Sequence, residues 1–190
     1  MELARAYPVF ICRAQDIGYA PALFCGYQFL VDQGWDYVIQ LDADGQHDVC
    51  YAKALKQELV GVDWVIGSRH RTGSAISPSK QIASLLGRYL LGEPGLFDVS
   101  SGYWALNRRA IHYFFHVFPV SYTEAPLRMR AIADGIKIKE LCVAVDSRHS
   151  GVSMHAGVKG MVHGLKMLKR TCGDKKNIIF YKRIRNNAIN

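Results

Sequence analysis

No apolar run in the 190-residue sequence approaches the roughly 20 residues that a helix needs to cross a bilayer. The opening residues, Met1-Glu2-Leu3-Ala4-Arg5, lack the long apolar stretch of a secretory signal, so the expected compartment is the cytoplasm. Cysteine is sparse. Cys12, Cys25, Cys50, Cys142 and Cys172 are scattered, odd in number and never spaced as CxxC, which argues against a disulfide framework or a zinc ribbon. They are expected to be reduced thiols, mostly small core residues. No internal repeat or low-complexity tract is present. What remains is 49% apolar and 21% charged, the balance of a globular chain, in a length that suits one domain with one core.

The net charge of +8 is unevenly placed. Residues 1–158 hold 15 Lys and Arg against 15 Asp and Glu, whereas residues 159–190 hold nine basic residues against Asp174 alone. A neutral body argues against nucleic acid as a partner. A basic end beside an amphipathic helix (His155–Arg170, with Met161, Val162, Leu165 and Leu168 on one face) suits either a solvated, partly disordered tail or an anionic membrane surface.

Strand-like and helix-like stretches alternate, which implies an α/β sheet layered with helices. Pro8–Cys12 reads as a strand, Ala22–Val31 as a helix with Pro21 in its first turn and Gly34 closing it, and Asp36–Leu41 as the next strand. A helix near Tyr51–Val60, a strand at Asp63–Gly67, helices at Lys80–Leu91 and Asn107–His116, and a strand at Ile136–Val145 follow. His112 and His116 have metal-clamp spacing but flank Tyr113-Phe114-Phe115, so they are expected to serve helix packing.

The segment with most chemistry is Leu41-Asp42-Ala43-Asp44-Gly45-Gln46-His47-Asp48, at the C-terminal end of a strand, where open α/β sheets place ligands. Two carboxylates at i and i+2 offer hard oxygen ligands to Mg²⁺ or Mn²⁺, ions that bridge diphosphates. A solvated acidic turn has the same composition, because Asp and Gly both favour turns.

These residues resemble the acidic signature of family 2 glycosyltransferases, particularly the polyprenyl-phosphate, dolichol-phosphate mannosyltransferase-like branch. Other blocks follow in the family's order: Asp16-Ile17-Gly18-Tyr19, then Asp63-Trp64-Val65-Ile66-Gly67-Ser68-Arg69, then Asp98 through Arg108 with its Ser101-Gly102-Tyr103 centre, then Tyr122-Thr123-Glu124-Ala125, and finally Gly135–Glu140 with Arg148–Ser153. The similarity covers residues 7–170. It implies a GT-A fold, a three-layer α/β/α sandwich with a mixed, mostly parallel sheet. Residues 1–158 would be the catalytic domain and 159–190 an amphipathic basic helix and tail. Asp44 would bind the cation, with Asp42 and Gln46 beside it, and His47 would shape the turn. Arg69, Lys80, Ser84, Arg148 and Ser153 match positions near the phosphates of donor or acceptor, and Glu124 would face the acceptor. The implied activity is metal-dependent, inverting transfer of a sugar from a UDP- or GDP-sugar to a polyprenyl phosphate or glycan, at the cytoplasmic face of the membrane.

Several positions depart from the family pattern. Asp16 replaces Asn, Val49-Cys50 replaces Pro-Glu, and Trp104 stands where Arg is usual, so one cation is expected to be missing from the pocket. The family's opening strand has no counterpart, and the chain is expected to begin at the family's third strand. The alternative expectation is therefore an inactive relative that serves as a binding or scaffold module.

Overall fold

The computed structural model describes residues 19–69, 98, 101–117 and 124–144. Helix α1 (Tyr19–Asp32) leads into strand β1 (Tyr37–Gln40); a 3-10 turn (Val49–Tyr51) and helix α2 (Ala52–Gln57) follow, then β2 (Trp64–Ser68), β3 (Trp104–Asn107), α3 (Arg108–Val117), α4 (Glu124–Ala133) and β4 (Ile138–Cys142). The expected strand at Pro8–Cys12, the helix at Lys80–Leu91 and the basic helix and tail at 159–190 lie outside the described residues.

The four strands form one sheet in the order β1-β3-β2-β4. β3 runs antiparallel to both β1 and β2, while β4 runs parallel to β2. Three of the four strands therefore point the same way, with β3 reversed between them. The sheet is mixed, as expected, but among the described strands two of its three pairings are antiparallel and one is parallel, because the reversed β3 lies between β1 and β2. It follows that the C-terminal ends of β1, β2 and β4 and the N-terminal approach to β3 all gather at one end of the sheet.

Period-two alternation on the central strands separates two cores. Trp64 and Ile66 of β2 and Trp104 and Leu106 of β3 face one side, with Tyr27 of α1, Ala110, Ile111 and Phe114 of α3, and Leu127 and Ala131 of α4. Val65, Tyr103, Ala105 and Val143 face the other side, with Leu55 of α2. Helices on both faces make three layers. Because both faces of β2 are covered, all five of its residues are buried.

β3 and α4 are elements that periodicity alone does not announce. β3 is only four residues long, and α4 carries a charged residue, Arg128, on its buried side. The helix α1 ends as the sequence implies: Gly34 takes φ +67, a left-handed conformation that favours glycine, and donates its N–H to Val31 O at 3.0 Å. His112 and His116 are not packed into the core as expected, although the His116 ring lies against its neighbour Phe115. Both are exposed on α3, because Ala110, Ile111 and Phe114 already turn that helix's apolar stripe to the sheet. Cys25 and Cys142 are half-buried, but Cys50 is exposed rather than in the core, because the turn that carries it lies outside the layers.

Phe114 is fully buried, with its ring centroid 5.0 Å from that of Trp64, 5.5 Å from Tyr27 and 5.8 Å from Trp104. Truncation there leaves a cavity between α1, α3 and the sheet. Phe114→Ala is expected to lower unfolding stability by about 3–5 kcal/mol, read as a fall in the urea midpoint at unchanged slope.

Candidate active site

The acidic turn leaves β1 at the gathered end of the sheet. Gly45 takes φ +78 and lets the chain reverse. Asp44 Oδ1 accepts the Gln46 N–H at 3.1 Å, a local side-chain turn that fixes the carboxylate's orientation. Asp48 Oδ1 accepts the Cys50 N–H at 2.9 Å and caps the 3-10 turn. His47 folds back over the turn: its Nδ1 accepts the Asp42 N–H at 3.1 Å, and its ring stacks on Tyr103 with centroids 5.0 Å apart. Tyr103 in turn donates its hydroxyl to Asp48 O at 3.0 Å. His47 thus closes the turn from within. Burial pushes its imidazole below the ordinary value, against the pull of the Asp42 and Asp44 carboxylates, so a neutral ring can accept that hydrogen bond.

Asp42 is positioned by register. β1 pairs with β3 as Tyr37↔Asn107 through Gln40↔Trp104, and two further steps along the same register set Asp42 opposite Gly102. The Asp42 carboxylate fills the space where a side chain at 102 would begin: a Cβ on Gly102 would stand 2.7 Å from Asp42 Oδ2. On the other side of this segment, Gly67 N donates to Tyr103 O at 2.8 Å and Ser101 Oγ donates to Gly67 O at 2.6 Å, locking Ser101-Gly102-Tyr103 to the end of β2.

Arg69 follows β2 at this same end. Its Nε and Nη2 donate to the two carboxylate oxygens of Asp98 at 2.8 and 3.0 Å, and its backbone N–H to Oδ2 at 3.1 Å. Asp98 is buried. Burial alone would raise its pKa, but the Arg69 hydrogen bonds and charge, with Arg128 behind, outweigh this and hold the carboxyl well below the usual carboxylate range. Asp98 N donates to Glu140 Oε1 on β4 at 2.8 Å, and Arg128 of α4 donates to the backbone oxygens of Asp98 and Ser101. The charges of Asp42, Asp44, Arg69 and Asp98 all bear on His47, so these groups share one electrostatic neighbourhood.

Of the residues expected from sequence, Asp42, Asp44, Gln46 and Arg69 are brought to one end of the sheet. Glu124 is the first residue of α4. Lys80, Ser84, Arg148 and Ser153 lie outside the described residues. Trp104 offers the site no cation and is a core residue instead, 2% exposed. It packs against Trp64 and Phe114, its indole N–H donates to Ser101 O, and Arg128 reaches that same oxygen from α4. The sequence by itself assigns no role to Asp98, Gly102, Arg128 or Glu140. Asp98, Gly102 and Glu140 stand within the recognised blocks; Arg128 stands in none of them.

The donor set suits a hard divalent ion. Among the described residues no three His, Cys, Asp or Glu side chains cluster as a metal group; the turn itself carries the carboxylates of Asp42 and Asp44. Mg²⁺ is commonly held in this way, by one or two carboxylates with phosphate oxygens and water completing the shell.

Asp98 links the site to stability. A carboxyl whose folded pKa is depressed contributes stability that is full above its unfolded value, near pH 4, and is lost as pH falls through the folded value. Asp98→Asn is expected to cost about 3–5 kcal/mol at pH 7, as for breaking a buried ion pair. The gap to the parent chain should stay constant down to about pH 5 and narrow below about pH 4, measured by urea unfolding across that range.

No protein-family model matches the chain. It is 28% identical over 156 residues to the polyprenol monophosphomannose synthase of Mycolicibacterium smegmatis, a stretch covering 76% of this chain and 58% of that protein. It is also 28% identical over 159 residues to the undecaprenyl-phosphate mannosyltransferase of Micrococcus luteus, covering 75% of this chain and 63% of that protein. The chain thus spans about three fifths of the length of these curated relatives. The order of its motifs and its mixed α/β sheet accord with these similarities: the chain is similar to family 2 glycosyltransferases of the polyprenyl-phosphate mannosyltransferase kind.

Proposed function

We propose that the chain carries the diphosphate and acceptor-phosphate side of a glycosyltransferase that moves mannose from a UDP- or GDP-sugar to a polyprenyl phosphate. The observation that carries this reading is the acidic turn at the C-terminal end of β1, with Asp42 seated on Gly102 and Arg69 pinned nearby. The names of the two relatives support the sugar and the lipid-phosphate acceptor.

Asp42 and Asp44 would hold Mg²⁺ or Mn²⁺ with Gln46 alongside, and the ion would neutralise charge developing on the leaving diphosphate. Arg69 presents a planar guanidinium, a shape that matches phosphate oxygens, and its pairing with Asp98 fixes the group before substrate arrives. A lipid phosphate is already anionic, so the attacking oxygen needs little help from a base; Glu124 would matter more for a sugar hydroxyl. Among the described residues no helix is long and apolar enough to cross a membrane. Approach to a membrane-borne acceptor would fall to the basic residues of 159–190.

Thermal unfolding with nucleotide and metal tests the reading. GDP or UDP with Mn²⁺ is expected to raise Tm by about 5–10 °C at a free concentration about a hundred times Kd, with chelator or Asp44→Asn removing the rise. No shift with either nucleotide in either metal contradicts it. A second test uses Gly102→Ala, whose new methyl group must push the Asp42 carboxylate aside. Metal-dependent nucleotide affinity is expected to fall at least about tenfold, a loss of about 1.4 kcal/mol, with the far-ultraviolet dichroism unchanged. An unaltered affinity would remove Asp42 from the metal–diphosphate site.

A further inference from the structure

Arg128 is the one fully buried cation among the described residues, 1% exposed, and the transfer chemistry makes no direct use of it. Its guanidinium lies 5.5 Å from the Trp64 ring centroid. One terminal nitrogen donates to the backbone oxygen of Asp98, and the other to the backbone oxygen of Ser101 at 3.2 Å. These carbonyls belong to the two halves of the site. The Asp98 side chain grips Arg69, the cationic half, and Ser101 precedes Gly102, on which the Asp42 carboxylate rests. A single planar fork therefore spans the backbone behind both halves.

We propose that Arg128 is a positioning residue that sets the spacing between Arg69 and Asp42 by bridging the carbonyls of Asp98 and Ser101. Its charge is balanced within the same cluster: Arg69 and Arg128 stand against Asp98 and Glu140, and Glu140 Oε1 holds the Asp98 N–H. Burying such a cluster brings little net stability, because lost hydration offsets the attraction between the charges. What the guanidinium adds is geometry. Its two donors diverge at a fixed angle, so two acceptors bound to it keep a fixed separation, which a lysine ammonium on a flexible stem does not impose. The consequence for transfer rests on the function proposed above; the positioning itself does not.

The test compares the full chain with Arg128→Lys and Arg128→Met. The first readout needs no ligand: the NMR signal of the Arg69 Nε–H, identified by its disappearance in Arg69→Lys, and its rate of exchange with water. In the folded Arg128→Lys variant this exchange is expected to accelerate at least about tenfold, as the grip of Asp98 loosens. The second readout separates binding from turnover. Kd for Mn²⁺–GDP alone and for a short-chain polyprenyl phosphate alone should each change less than about threefold, while kcat for mannosyl transfer falls about a hundredfold, the expected effect of misplacing two bound groups. A folded variant with parental Arg69 exchange overturns the proposal. So does failure of both variants to fold, which would give Arg128 a purely structural part. If the parent chain transfers no sugar, the functional reading fails while the Arg69 exchange still decides the positioning role.

Discussion

The carboxylate of Asp42 lies against the bare Cα of Gly102, and the geometry of the site depends on that approach. Nothing local to the acidic turn produces it. The antiparallel register of β1 on β3 carries Asp42 to its place opposite Gly102, and the absence of a side chain there leaves room for the carboxylate. The other side of the Gly102 segment is tied to β2 by Gly67 and Ser101. The acidic turn is therefore registered against the end of β2, from which Arg69 emerges. Moving any one of these strands by a residue would separate the acidic and basic halves of the site.

Reversal of β3 is what allows this convergence. With β1, β2 and β4 running the same way, their C-terminal ends supply Asp42, Arg69 and Val143, and the reversed strand delivers its N-terminal approach to the same end. Open α/β sheets bind ligands at this end because loops leaving the strands can diverge there without disturbing the layers. The cores on the two faces, one built around Trp64, Trp104 and Phe114 and the other around Val65, Tyr103 and Leu55, hold the strands in register. Tyr103 belongs to both systems: its ring packs in the second core and under His47, while its hydroxyl holds Asp48 O.

The sequence makes local chemistry legible wherever one residue type has a narrow use. The acidic pair with Gly45, the buried run Trp64–Ser68, the amphipathic helix after Asn107 and the glycine that ends α1 all have short-range signatures, and the structure carries each of them. The expected sites at Lys80, Ser84, Arg148 and Ser153 remain sequence-based, since they lie outside the described residues. The parts that were not legible are long-range. Asp98 meets Arg69 across 29 residues and Glu140 across 42, and no spacing rule connects such partners. Arg128 reads as an ordinary helical arginine, and only the fold shows that it faces inward to two backbone carbonyls. The exposure of His112 and His116 has a similar cause: the helix satisfies the sheet with Ala110, Ile111 and Phe114, and the histidines fall on the remaining face.

The central claim is that one divalent ion and one diphosphate meet at the Asp42–Asp48 turn beside Gly102. Paramagnetic broadening by Mn²⁺ tests it most directly, with GDP present and the backbone amide signals of the whole chain followed at sub-stoichiometric metal. The account predicts that the amides of 42–48 and of Gly102 and Tyr103 broaden first, that α3 keeps its linewidths, and that Asp44→Asn abolishes the effect. Broadening centred on His112 and His116, or none at the turn, would contradict it.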